Sequence, residues 1–158
     1  MKRRASTLLA ALALLSLILV LGLAFLARRS AEYQVANLQV TRAQARALAM
    51  AGLEDARAKL DRDFSFPPQM EVAHRTFQYA ELVYDLDDTT VLGSYEVIVD
   101  QTYNDDPYRV ITLESTGMAG YPPRSRYRVQ AEFDASAKIR GGTADNPDYW
   151  KLIRMVER

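Results

Sequence analysis

Between Ser6 and Ala27 the chain runs for 22 residues without a charge: STLLAALALLSLILVLGLAFLA. No other stretch limits the fold so severely. An α-helix rises about 1.5 Å per residue, so this run reaches roughly 33 Å, close to the hydrocarbon thickness of a bilayer. Thirteen of its residues are Leu, Ile, Val or Phe. Each favours insertion by roughly 0.3–0.6 kcal/mol, which outweighs the Ser, Thr and Gly between them. Lys2, Arg3 and Arg4 precede the run, and Arg28 and Arg29 close it. A cleaved secretory signal has a shorter apolar stretch and a small-residue exit, whereas here the exit reads Leu26-Ala27-Arg28-Arg29. The pattern predicts a signal anchor. The basic cluster and the α-amino group set the N-terminus in the cytoplasm and the rest of the chain outside.

More helix follows. From Tyr33 to Leu60 there is no proline, and the only glycine is Gly52. Alanine, leucine, arginine, glutamate and glutamine dominate, most of them strong helix formers. Ala45, Ala49, Leu53, Ala56 and Leu60 recur at three- and four-residue spacing and form one apolar stripe. Arg42, Arg46 and Arg57 lie off it, and Asp55 and Lys59 stand four apart in the favourable order. Phe64-Ser65-Phe66-Pro67-Pro68 ends the helix, because proline cannot continue the hydrogen-bond ladder. One helix from Ser6 to Arg62 would be roughly 85 Å long.

The C-terminal half changes to period two. Tyr127, Val129, Ala131 and Phe133 alternate with Arg126, Arg128, Gln130 and Glu132. Tyr95, Val97 and Val99 alternate with Glu96, Ile98 and Asp100. Tyr108, Val110 and Thr112 alternate with Arg109, Ile111 and Leu113, a pattern for a strand covered on both faces. An earlier strand is expected within Thr76–Tyr84. Asn104-Asp105-Asp106-Pro107 and the segment from Gly117 to Pro123 are turn chemistry, and Ser115-Thr116-Gly117 reads as a strand end with its turn. Short turns between strands favour an antiparallel meander. Its apolar face needs cover, and the stripe of the long helix is the only cover available. The fold class is therefore α+β, a long N-terminal helix on a small antiparallel sheet. Its parts are a basic leader and transmembrane helix (1–29), a soluble continuation of that helix (30–63), the sheet domain (64–135) and a C-terminal tail (136–158).

Composition narrows the chemistry. There is no cysteine, and His74 is the only histidine, so thiol catalysis and His-pair metal sites are ruled out. His74 reads as an exposed bystander beside Arg75. Neither a glycine-rich phosphate loop nor a nucleophile elbow occurs, so no enzyme and no cofactor are expected. Asp85, Asp87 and Asp88, with Asn104, Asp105 and Asp106 in the next turn, are the metal candidates, since calcium takes oxygen ligands from such loops. Their spacing matches no fixed loop motif, and Asp and Asn are ordinary turn residues. Arg124, Arg126 and Arg128 share one face of the last strand, with Arg109 nearby. They suit either a DNA contact or a solvated edge face neutralised by Glu96, Asp100 and Glu132. The chain carries 20 basic and 20 acidic residues, so no nucleic-acid partner is expected.

A long helix, half of it suited to lipid, with a meander on its outer half, resembles the type IV pilins and type II secretion pseudopilins. The stretch ANLQVTRAQARALAMAGLEDARAKL, Ala36 to Leu60, is similar to the N-terminal region of PilX-type minor pilins. Their motif Ala-Glu-Ala-Gly-Leu-Glu corresponds to Ala49-Met50-Ala51-Gly52-Leu53-Glu54. Gly93-Ser94-Tyr95-Glu96-Val97, Ser115-Thr116-Gly117 and the segment from Arg124 to Phe133 resemble the family's Gly-x-Tyr strand, Ser-Thr-Gly turn and final basic strand. The resemblance covers most of Ala5 to Ala135. It departs from the family at Met50, where glutamate is usual, and at the processing site. Cleavage would fall between Ala5 and Ser6, and the fifth mature residue would be Ala10 where pilins place glutamate. No acid precedes Glu32. Some minor pseudopilins lack that acid and sit at the filament tip.

The resemblance implies a structural minor pilin or pseudopilin of the inner membrane, with its sheet domain outside and extracellular once assembled. The expected partners are the membrane, other pilins or pseudopilins of the filament, and prepilin peptidase. Small residues at Ala10, Ala11, Ala13, Ser16 and Gly22 would let neighbouring helices approach; Ala10, Ala13, Ser16 and Gly22 form the expected assembly face. The alternative is a single-pass anchored binding module that never assembles and touches DNA through its basic last strand. In the tail, Tyr149, Trp150, Leu152, Ile153 and Val156 restore apolar character after Gly141-Gly142 and Asn146-Pro147. The tail either packs back on the sheet as a short helix or docks on a neighbouring subunit.

Overall fold

The computed structural model describes residues 2–63, 66, 75–87, 89–139 and 142–158, with 2–11 as backbone only. Pro67, Pro68, His74 and Asp88 lie outside the described residues. The chain divides into two compact units, Met1–Gln39 and Val40–Arg158. A single helix, α1 (Lys2–Arg62), makes up the whole of the first unit's described part and continues into the second. It stops where Asp63 N–H bonds the Lys59 carbonyl at 2.9 Å, and Phe66 N–H then bonds the Asp63 carbonyl at 3.0 Å. Lys59 and Arg62 sit in the last turn, a favourable place for cations at the negative end of the helix dipole.

The second unit is α+β. Five strands, β1 (Thr76–Tyr84), β2 (Val91–Asp100), β3 (Val110–Ala119), β4 (Ser125–Asp134) and β5 (Leu152–Glu157), form one sheet in the order β1-β2-β3-β4-β5. Every neighbouring pair is antiparallel. On one face, successive rows across the sheet read Phe77, Val99, Leu113, Ala131, Met155 and Tyr79, Val97, Ser115, Val129, Glu157. That face is closed by the helical stripe, in which Ala45, Ala49, Leu53, Ala56 and Leu60 are buried together with Leu48. Phe133, Leu60, Ile111 and Leu113 are the largest fully buried side chains.

The helix lies unusually close to the sheet, and small residues on both sides allow it. A Cβ on Gly117 would stand 2.1 Å from the Ala45 carbonyl oxygen and 2.4 Å from the Ala49 nitrogen. A Cβ on Gly52 would stand 2.6 Å from Ser115 Oγ and 2.7 Å from the Tyr95 ring. Ser115-Thr116-Gly117 is not a strand end. It lies within β3, and Ser115 and Gly117 are small because the helix backbone passes over them. The turn itself begins at Gly120, whose φ of 80° favours glycine.

Two further expectations are corrected. Tyr108 and Arg109 precede β3. Arg109 N–H bonds back to the Asp105 carbonyl at 3.1 Å with a left-handed φ of 50°, which closes a turn instead of extending the strand. The tail packs back on its own sheet, but as a strand paired with β4 and not as a short helix. Trp150 adopts φ 62°, donates its backbone N–H to the Asp134 carbonyl at 2.7 Å and packs its ring on Phe133 with centroids 5.5 Å apart. That anchor aligns the following residues as β5, so β4 is an interior strand and not the last one.

Candidate functional site

The first unit presents one feature. Eleven large apolar side chains from Leu12 to Leu26 are each 59–66% exposed. Among the described residues this is the one helix long and apolar enough to cross a membrane, and none of its apolar window is buried. Ser16 returns its hydroxyl to the Ala13 carbonyl at 2.9 Å, which satisfies the polar group within the helix. At the exit of the run, Glu32 accepts from Arg28 at 3.3 Å and from Arg29 at 3.1 Å. The Arg29 guanidinium also sits 5.3 Å from the Phe25 ring centre. Glu32 thus offsets part of the charge on this side, while the basic residues before Ser6 have no acid near them in sequence.

The expected assembly face does not form one strip. At about 100° per residue, Gly22 lies half a turn away from Ala13, while Ser16 is one turn from Ala13 and on its side. A Cβ on Gly22 would meet nothing within 4 Å. Ala5, Ser6 and Ala10 lie on the helical backbone, and nothing is described of their side chains.

In the second unit two of the motif residues, Gly52 and Leu53, are packing elements. Gly52 faces Tyr95 and Ser115, Leu53 is buried, Ala51 is exposed, and Glu54 is exposed at 3.6 Å from Arg57. Met50, where the pilin motif has glutamate, packs half-buried against the core.

Two polar clusters fasten the outer strands to the helix. At β1, Lys59 Nζ donates to Asp55 at 2.6 Å and to Glu81 at 2.5 Å. Tyr79 and Tyr95 donate their hydroxyls to Asp55 and Glu81 at 2.9 and 2.7 Å. The ammonium lies 4.3 Å from the centre of the Tyr79 ring. Burial disfavours the Lys59 charge, but its two carboxylate partners outweigh that and raise its pKa. Lys59, followed by Tyr95, holds Glu81 below its ordinary value. Burial, then the bond to Asp55, pushes the Tyr79 phenol up. At β5, Arg46 forms a two-pronged pair with Glu157 at 2.7 and 2.8 Å, and Tyr127 donates to the same carboxylate at 2.6 Å. Arg46 first and Tyr127 second lower the Glu157 pKa to about 2.

The acidic turn and the basic strip are arranged differently from expectation. Asp85 accepts the Leu86 N–H at 2.8 Å. Asp87 accepts the N–H groups of Thr90 and Thr89 and the Thr90 hydroxyl, which lowers its pKa. Asp106 pairs with Arg109, and Asp105 with Arg75. These oxygens serve turns and ion pairs, and among the described residues no three His, Cys, Asp or Glu are grouped to hold a metal. Arg124 is in the turn before β4, and Arg126 and Arg128 are on the outer face. Arg109 is at the opposite end of the sheet, where its carbonyl accepts the Ala135 N–H. The partner of Arg128 is Glu114 at 3.2 Å, not Glu96, Asp100 or Glu132. Sequence reasoning had no signal for the Arg46–Glu157 pair, whose members are 111 positions apart. The Asp55–Lys59 half of the other cluster followed from helical spacing, but its Glu81 half did not. Compared with family profiles, with curated proteins and with solved structures, the chain gives no match.

Proposed function

We propose that the chain is a structural subunit of a membrane-anchored filament, of the minor pilin or pseudopilin kind, held in the inner membrane with its sheet unit outside. The observation that carries this reading is the uncovered apolar segment of α1. Burying a large apolar side chain is worth roughly 1.5–3 kcal/mol. Eleven of them left more than half exposed represent on the order of 10–20 kcal/mol, which matches or exceeds the whole stability of an ordinary domain. Lipid or other apolar helices must therefore surround the segment. In the exchange between them, dispersion and close packing decide, because lipid tails and leucine are equally apolar.

The orientation rests on charge. Glu32 offsets Arg28 and Arg29 on one side, which leaves the N-terminal basic cluster as the stronger cytoplasmic signal. Replacing Ala13 by arginine puts a charge among apolar neighbours and should abolish incorporation into filaments. Filaments that still contain the variant would overturn the reading.

Ala10, at the position where pilins place an acid, favours a second reading, a plain anchored module that does not assemble. The mass of the N-terminal peptide separates the two. Cleavage before Ser6 by prepilin peptidase supports the subunit, and an intact Met1 supports the anchor.

A further inference from the structure

We propose that the sheet unit docks edge to edge with a second copy of this chain, β1 of one copy pairing in parallel with β5 of the next. This goes beyond the filament reading and does not depend on it. Among the described residues no further strand lies beside either outer strand, neither strand contains proline, and the charges they turn toward the helix, Glu81 and Glu157, are already paired with Lys59 and Arg46. β1 reads TFQYAELVY, without lysine, arginine or proline. β5 exposes Leu152, Ile153 and Met155.

The ladder pattern makes the two edges compatible. Gln101 N–H bonds the Arg75 carbonyl, so alternation along β1 turns the N–H and C=O of Gln78 and Ala80 outward. Arg128 and Arg158 exchange both of their backbone bonds, so on β5 Met155 and Glu157 turn theirs outward. In a parallel pair, Gln78 would bond Met155 and Glu157 of the next copy and lie opposite Val156. Gln78 and Val156 are both on the face away from the helix, so the joined sheet keeps one helix face and one outer face. With five strands alternating in direction, β1 and β5 already run the same way. Every copy is then related by simple displacement, and α1 enters each sheet unit from the same end. Two-fold pairing of like edges would reverse that end.

Charge selects the partner. The hairpin from Thr76 to Asp100 contains Glu81, Asp85, Asp87, Asp88, Glu96 and Asp100 and no basic residue. At the same end of the sheet as its turn, the β4–β5 side carries Arg124, Arg126 and Arg158, none of which pairs with a described acid. Setting Arg158 opposite Ala80 lets the guanidinium reach across that small side chain toward Glu96. The same register keeps Glu157 from standing opposite Glu81, where like charges would repel. A head-to-tail contact of this kind is open-ended, and it joins an acidic edge to a basic one at every step.

The chain has no cysteine, which makes the test direct. The full-length chain is purified in detergent as Gln78→Cys and as Val156→Cys, and the two are treated singly and mixed with a short thiol-to-thiol cross-linker. The mixture should yield a cross-linked dimer that neither variant yields alone, and raising salt from about 0.05 to about 0.5 M, which shortens the screening length several-fold, should reduce it. Ala80→Pro and Met155→Pro each remove an outward N–H without breaking a ladder bond inside the unit. Each should be monomeric alone in sedimentation, and together they should form a one-to-one complex. Cross-linking equally strong in Gln78→Cys alone, or no dimer in either mixture, would overturn the proposal.

Discussion

The two halves of α1 have the same secondary structure and nearly the same helix-forming composition, yet opposite relations to their surroundings. From Leu12 to Leu26 the apolar residues surround the helix and every one is exposed; after Val40 they narrow to a stripe, and the stripe is buried. A helix that is apolar all round needs an apolar solvent, whereas one apolar stripe needs a single partner surface. The first half therefore contributes nothing to folding of the sheet unit, and the second half is its lid.

The comparison breaks most visibly at the core. Phe133→Ala should destabilise the sheet unit by about 3–5 kcal/mol in denaturant unfolding of the full chain in detergent. Leu19→Ala, on the exposed half, should leave the same transition unmoved. A comparable loss from Leu19→Ala would show that the halves are not independent. Next in size, Gly117→Ala drives a methyl into the backbone of Ala45 and Ala49 and should cost about 1–3 kcal/mol by prising the helix off. Gly22→Ala faces open space and should cost the sheet unit nothing by the same measurement. Ser115 is fully buried, and its hydroxyl has no hydrogen-bond partner among the described residues. Ser115→Ala should therefore stabilise by about 1 kcal/mol, seen as a raised unfolding midpoint.

The smallest effect concerns pH. Glu157 titrates at about 2 in the folded chain, against an ordinary 4.5. Because its folded pKa is depressed, its contribution is complete above about pH 4.5 and is lost as pH falls toward 2. Amide exchange in β5 should accelerate across that window, and Glu157→Gln should remove the pH dependence. Unchanged exchange in the variant's parent over that range would show that the Arg46 pair does not hold β5.

Much of the architecture was legible because periodicity is local. Ala45 to Leu60 announced their stripe, and Tyr95 to Val99 and Tyr127 to Phe133 announced their inward faces. Where sequence and structure differ, distant contacts account for β3 and for the tail. Ser115 and Gly117 resembled a turn because small residues commonly form turns, and only the helix backbone lying against them explains why they are small. The tail gave no clear period, because β5 is aligned by the Trp150 anchor and by Glu157 meeting Arg46 across the fold. Gly22 and Ala13 are alike in size, but helical geometry sets them on opposite sides.

Residue order alone determined an apolar helix of membrane length, an amphipathic continuation and an antiparallel sheet. These follow from spacing and composition, which act over a few residues. Tertiary structure decided where β3 ends, that the tail becomes the fifth strand, which carboxylates Arg46 and Arg128 meet and which two strands lie at the edges of the sheet. Those outcomes depend on contacts between residues far apart in sequence, and such contacts exist only once the helix and the sheet have closed on each other.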